Sequence, residues 1–136
     1  MKLKFFFSNY WRSLIVIGCI LYLSFAPPST FNGIPTFNNE DKLVHFLMYA
    51  GLCCMLIFDF RLANNKNKTK SVVGLLLCFV FPALLGGTIE ILQPLYFGRG
   101  GSWFDLSANI TGILSAWVFM HVFEGLINKI FVRKKA

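Results

Sequence analysis

A chain of 136 residues is long enough for one domain, and its composition excludes an ordinary soluble one. Hydrophobic residues make up 56% of the chain and charged residues only 14%, whereas roughly a quarter of the residues in a soluble domain are charged. The net charge of +7 does not indicate nucleic-acid binding, because the basic residues flank apolar segments instead of forming one patch. We therefore expect an integral membrane protein with no nucleic-acid partner.

Four apolar segments predict four membrane-spanning helices, since about 20 helical residues cross the hydrocarbon core. The helices are expected at about residues 8–26, 42–60, 71–96 and 104–128 of a single domain, 1–136. The first segment contains Arg12, whose long side chain can reach the headgroups. A cleaved signal peptide is the alternative there, but Pro27 suits cleavage poorly. The expected fold class is all-α, a polytopic membrane protein folded as a compact four-helix bundle.

The distribution of basic residues predicts the orientation of the bundle. With a cytoplasmic N-terminus, all thirteen Lys and Arg residues except Lys42 and Arg99 fall on the cytoplasmic side. Both termini are therefore predicted to be cytoplasmic, and the expected location is the bacterial inner (cytoplasmic) membrane, crossed several times. Membrane lipids are the expected partners, because a basic face attracts anionic headgroups.

The four cysteines lie inside the predicted helices and are expected to be buried apolar thiols. They form no C-x-x-C motif and no Cys/His ligand spacing, so the sequence predicts no disulfide framework, metal site or cofactor. Near the cytoplasmic end of the last helix, His121 and Glu124 are expected to form an interfacial pair.

Polar residues in the last three predicted helices fall on one stripe of each helix, at spacings of three, four or seven residues. The stripes are Lys42, His45 and Tyr49; Gly86, Glu90 and Gln93; and Asp105, Asn109 and Gly112. Glu90 lies nineteen residues after Ser71, or about 28 Å along the helix at 1.5 Å per residue. All three stripes are therefore expected to meet near the outer leaflet, with Arg99 in the loop beside them.

These converging residues form a candidate ligand-binding site. Its predicted members are Lys42, His45, Glu90, Gln93, Arg99, Asp105 and Asn109. The cationic members suit phosphate or carboxylate groups, and His45, Glu90 and Asp105 are candidate catalytic acids or bases. No nucleophile motif accompanies them. The alternative is a structural ion-pair network, for example Glu90 with Lys42 or Arg99.

Three spaced motifs in this chain resemble the VanZ-like membrane family. They are "DKLVHFLMYAGL" (residues 41–52), "IEILQ" (89–93) and "GRGGSWFDLSANITG" (98–112). The residues that match the family pattern are Asp41, Lys42, His45, Glu90, Gln93, Arg99, Asp105, Asn109 and Gly112. Ala116 stands where the family often has a second glycine. The resemblance implies a four-helix membrane fold and a weak link to teicoplanin resistance, after which the family is named.

Three functions follow as expectations. The first is a protein whose outer-leaflet site binds an anionic lipid or a cell-envelope intermediate, affecting glycopeptide (teicoplanin) susceptibility. The second is an intramembrane enzyme acting on a phosphate-bearing lipid. The third is a structural or accessory subunit, in which the cluster only supports the fold and a membrane-protein partner supplies the activity. A transporter is less favoured, because four helices leave little room for alternating access.

Overall fold

Every regular element in the described part of the chain is helical, which confirms the all-α class there. The computed structural model describes residues 2–33, 37–64, 72–98, 100–127 and 129–130. Its elements are α1 (Lys2–Phe25), a 3-10 turn (Pro28–Phe31), α2 (Glu40–Asn64), α3 (Val72–Leu75), a π-helical segment (Leu76–Val80), α4 (Phe81–Tyr96), α5 (Trp103–Val122) and α6 (Glu124–Ile127).

The helix boundaries differ from the predicted ones in three places. Helix α1 begins six residues before the predicted start, and α2 extends four residues past its predicted end. The last predicted helix, 104–128, is interrupted at Phe123, where the backbone leaves the helical region and separates α5 from α6. The apolar residues 5–7 extend α1 across Asn9 and Arg12, and the mainly polar residues 61–64 continue α2 past the apolar run that predicts it.

Three helices are long and apolar enough to cross a membrane: Phe6–Phe25, Glu40–Asn64 and Val72–Tyr96. The third of these is one continuous helix made of α3, the π-helical segment and α4. Helix α5 is not among the three, since Asp105, Asn109 and His121 lower its mean hydropathy. Large apolar side chains, among them Ile15, Leu84 and Val118, are exposed on the outside of the bundle, as expected for a surface that faces lipid.

Helix α2 is the centre of the bundle and packs most extensively against α5. The two helices run parallel: His45 contacts Asn109 near their N-terminal ends, and Arg61 contacts Met120 near their C-terminal ends. They approach closely at Gly112, where a Cβ atom would collide with the carbonyl oxygen of Phe46. Gly112 is thus required by the spacing of the helices.

Helix α1 is tied to the C-terminal end of α2 by a buried carboxylate. Asp59, which is 0% exposed, accepts hydrogen bonds from Arg12 Nη1 (3.1 Å), Ser13 N (3.1 Å) and Ser13 Oγ (2.8 Å). The negative charge is therefore both paired and hydrogen-bonded, the condition under which a buried charge is tolerated. Arg12 keeps about a third of its side chain exposed, which agrees with its predicted position near the headgroups.

The predicted pairing of His121 with Glu124 is wrong, because Glu124 lies beside Arg61, a second buried charge at this end of the bundle. Arg61 Nη2 donates to the carbonyl oxygen of Met120 (3.2 Å) and lies 3.8 Å from Glu124 Oε1. His121 Nδ1 instead contacts the carbonyl oxygen of Trp117, one turn earlier in its own helix (2.8 Å). The side chains of α5 and α6 diverge at the break, so His121 and Glu124 take separate partners.

All four cysteines are free thiols. Cys53 and Cys78 are buried, as expected, and Cys54 is partly buried. Cys19 contradicts the expectation, because it lies on the exposed side of α1. An unpaired Cys side chain behaves as a small apolar group, which explains why it is accepted on a lipid-facing surface.

We expect the Gly112→Ala variant to be less stable than the wild-type protein. The added methyl group has to separate α2 from α5, and overpacking of this kind costs about 1–3 kcal/mol. Thermal unfolding in detergent, followed by circular dichroism, measures the effect. The matched control is Gly51→Ala on α2, where a new Cβ atom has no neighbour within 4 Å. Equal stability of the two variants would contradict this account of the helix contact.

Candidate functional site

Four of the predicted site residues come together between α2, α4 and α5. They are His45, Glu90, Asp105 and Asn109, which are between 1% and 8% exposed. Each occupies the inward stripe of its helix near the end opposite the Arg12–Asp59 pair. Donor atoms of His45, Glu90 and Asp105 all lie within 4.8 Å of one another. We call these four residues the buried cluster.

The imidazole of His45 joins the three helices. Its Nδ1 atom lies 3.0 Å from Asn109 Oδ1 and 3.5 Å from Glu90 Oε1. An Nδ1–H group therefore donates to the Asn109 oxygen, and an imidazolium also pairs with the Glu90 carboxylate. Glu90 Oε1 and Asn109 Nδ2 are buried without a hydrogen-bond partner in the described chain. A buried polar atom left in this state costs about 1–3 kcal/mol.

Glu90 also caps the start of α5 from a neighbouring helix. The Ser102 side chain accepts from Phe104 N (3.2 Å), which is the usual N-cap bond. In a capping box the third helical residue returns a bond to the N-cap amide, but here the Ser102 N–H donates to Glu90 Oε2 (3.2 Å). Asp105, which occupies that third position, is thereby released from capping, and its carboxylate remains in the buried cluster.

A glycine allows the loop before α5 to reach Glu90. Pro94 has no N–H group to donate to the carbonyl oxygen of Glu90, four residues earlier in α4. Gly101 lies against that carbonyl so closely that any Cβ atom would collide with it. The Gly101 contact therefore holds the Ser102 amide at its distance from the Glu90 carboxylate.

The buried cluster has an excess of negative groups. It contains two carboxylates and one imidazole, and within residues 2–33, 37–64, 72–98 and 100–127 no Lys or Arg nitrogen pairs with Glu90 or Asp105. The N-terminus of α5 carries the positive end of the helix dipole, which attracts the carboxylate of Asp105 in the first turn. Two carboxylates and one imidazole with no described Lys or Arg beside them are donor groups that suit a cation.

The other predicted members lie outside the buried cluster. Lys42 is partly exposed. Its Nζ atom donates to Asn39 Oδ1 (3.0 Å) and lies 5.9 Å from the centre of the Phe104 ring. It thus does not pair with Glu90, contrary to one structural hypothesis. Gln93 Nε2 donates to the Ser24 carbonyl oxygen (3.0 Å) and ties α4 to α1. Arg99 lies outside the described residues.

An open polar recess surrounds Lys42 at this end of the bundle. Its volume is about 410 Å³, and its lining consists of Phe37, Asn38, Asn39, Glu40, Asp41 and Lys42. Tyr96, Phe97, Trp103 and Phe104 are exposed around the same end. Aromatic side chains of this kind are enriched where a helix leaves the membrane, so the recess opens at the level expected of lipid headgroups.

The hydroxyl groups of the two serines beside the buried cluster form hydrogen bonds with backbone groups of α5. Ser102 Oγ accepts from Phe104 N, and Ser107 Oγ donates to the Trp103 carbonyl oxygen (2.8 Å). Neither hydroxyl bonds to His45, whose described polar contacts are Asn109 and Glu90. The arrangement therefore offers acid–base groups without an activated nucleophile.

Two groups of functional or structural weight were not found by sequence reasoning. The first is Asp59, an acid within the apolar run "LIFDF", which the rule applied to Glu90 would also have singled out. The second is the backbone amide of Ser102, which carries no side-chain signal. Only the glycine pair before it, Gly100-Gly101, pointed to a close backbone approach.

Comparison of the chain with protein-family models, with curated proteins and with solved structures gives no match. The VanZ-like assignment therefore stays a prediction that rests on the three motifs and their spacing.

We expect Gly101→Ala to weaken the hydrogen bond between the Ser102 amide and Glu90. A Cβ atom has to push the loop away from the Glu90 carbonyl, and a hydrogen bond to a charged group contributes about 1.5–3 kcal/mol. Faster hydrogen exchange of the Ser102 amide would report the loss. Gly100→Ala is the control, because a Cβ atom there meets nothing within 4 Å. Unchanged exchange in Gly101→Ala would show that the glycine does not position the amide.

Proposed function

We propose that this chain is a VanZ-like protein of the bacterial inner membrane whose outer-leaflet site binds an anionic lipid or cell-envelope intermediate. In this proposal α5 is a fourth spanning helix and both termini are cytoplasmic. The three motifs of the resemblance support the family, and the three apolar helices support the membrane location.

The path of α5 supports a fourth span. Helix α5 runs beside α2 from the His45–Asn109 contact at one end to the Arg61–Met120 contact at the other. If α2 crosses the bilayer, α5 has to cross with it, because its backbone is held against α2 along the whole distance. The polar residues that lower its hydropathy, Asp105 and Asn109, are buried against the other helices and not exposed to lipid.

The position of Lys42 is the observation that supports an anionic ligand. Its ammonium has three donors, and the structure gives it one hydrogen bond, to Asn39. It lies in the open recess, 5.9 Å from the centre of the Phe104 ring. A phosphate-bearing headgroup would be held by the remaining donors. Arg99, one loop away in sequence, is the second predicted anion ligand.

We expect the double variant Lys42→Ala/Arg99→Ala to bind anionic lipid at least about tenfold more weakly than the wild-type protein, since each charged hydrogen bond contributes about 1.5–3 kcal/mol. The measurement is binding of a polyprenyl phosphate and of phosphatidylglycerol to the purified full-length chain, with a zwitterionic lipid for reference. Lys4→Ala, an exposed lysine at the opposite end, is the matched control. Equal binding by the double variant and the control would refute the proposal.

A second candidate function, an intramembrane enzyme acting on a phosphate-bearing lipid, is favoured by the contact of His45 with Glu90. A buried imidazole 3.5 Å from a carboxylate is a usual acid–base pair. Since the described serines are engaged elsewhere, such an enzyme would use water as the attacking group.

For this enzyme we expect His45→Ala and Glu90→Gln to abolish turnover of a phosphate-bearing lipid, followed by mass spectrometry, while thermal unfolding stays close to that of the wild-type chain. The pair acts as one acid–base unit, so either change is sufficient. Absence of turnover by the wild-type protein would exclude the enzyme. Unfolding of both variants would support the structural alternative, in which the cluster serves the fold and a partner supplies the activity.

A further inference from the structure

We propose that His45, Glu90 and Asp105 bind one divalent transition-metal ion, of the class represented by Zn²⁺ and Mn²⁺. This inference concerns the same site as the proposed lipid binding and adds a cation to it. It rests on the geometry and the charge of the buried cluster, and not on the identity of any lipid.

The donor geometry is the first argument. One donor atom from each of the three residues lies within 4.8 Å of the other two, and the three residues come from three different helices. Ligands at about 2.1 Å from a tetrahedral ion are about 3.4 Å apart. A contraction of roughly one ångström, within the reach of side-chain rotation, would therefore bring the donors to bonding distance. Because the ligands lie far apart in sequence, no short spacing motif signals the site.

The unpaired carboxylate oxygen is the second argument. Glu90 is 8% exposed, its Oε2 atom accepts the Ser102 amide, and its Oε1 atom faces His45 without a hydrogen bond. Asp105, also 8% exposed, makes no side-chain hydrogen bond or ion pair with another described residue. An ion at this point would satisfy both carboxylates and remove the excess negative charge.

The donor types narrow the class of ion. Carboxylate oxygens alone suit Mg²⁺ and Ca²⁺, while an imidazole nitrogen shifts preference toward first-row transition ions such as Zn²⁺ and Mn²⁺. The Nδ1–H group of His45 donates to Asn109 Oδ1 (3.0 Å) and fixes the orientation of the imidazole, so Nε2 is the ring nitrogen that would bind the ion. Three protein ligands leave at least one coordination position open.

The test uses the full-length protein in lipid-free detergent, stripped with a chelator and freed of any affinity tag. Zn²⁺ or Mn²⁺ is added, and bound metal is counted after dialysis by mass spectrometry. We expect one ion per chain in the wild-type protein. The affinity should fall by more than about tenfold in Asp105→Asn and in His45→Gln, since even outer-shell changes cost 10–100-fold. Glu124→Gln and His121→Gln are the controls, a partly exposed acid at the opposite end of the bundle and the other histidine of the chain.

Two results would overturn the inference: less than one ion per wild-type chain, or equal binding by Asp105→Asn and Glu124→Gln. If a ligand variant fails to fold, Co²⁺ is bound to the wild-type chain and its absorption spectrum is recorded. The inference requires that the spectrum shows a nitrogen ligand, and that this ligand is still present in His121→Gln. Lipid binding is measured separately, with chelator and with added metal. If the protein binds lipid but no metal, the metal site is refuted and the proposed function is not. If it binds metal but no lipid, the proposed function is refuted and the metal site is not.

Discussion

The contact of the Gly112 backbone with the Phe46 carbonyl sets the spacing of α2 and α5, and the buried cluster depends on that spacing. His45 directly precedes Phe46, and Asn109 lies about one turn before Gly112, so the 3.0 Å contact between their side chains requires helices this close. Glycine within a helix costs about 1 kcal/mol relative to alanine. This cost is incurred close to the polar contact that joins α2 to α5.

The two ends of the bundle treat buried carboxylates differently. At one end Asp59 is fully satisfied, by Arg12 and by two groups of Ser13. At the other end Glu90 and Asp105 share one imidazole and leave polar atoms without partners. The same chain therefore can neutralise a buried acid within its own fold, and the outer cluster departs from that pattern. Incomplete satisfaction of this kind is typical of ligand sites, not of purely structural networks.

The helices, and four members of the site, could be predicted from apolar runs and from the spacing of polar residues along each helix. Gln93 was misplaced because three helical steps leave it about 60° around α4 from Glu90, which turns it toward α1. The pairing of Glu90 with Lys42 was wrong because Asn39, one turn away, reaches the ammonium first. The Ser102 amide and the separate partners of His121 and Glu124 depend on backbone breaks that carry no side-chain pattern.

The π-helical segment Leu76–Val80 divides the apolar helix Val72–Tyr96 into two parts. A π turn accommodates about one residue more than an α turn, and one residue corresponds to about 100° of helix rotation. Glu90 follows this segment, so the direction of its carboxylate depends on how many residues the segment holds. Loss or gain of a single residue there would rotate the part of the helix that carries Glu90 relative to the part that precedes the segment. The chain length of an apolar stretch distant from the cluster is thus as much a determinant of the site as the polar residues themselves.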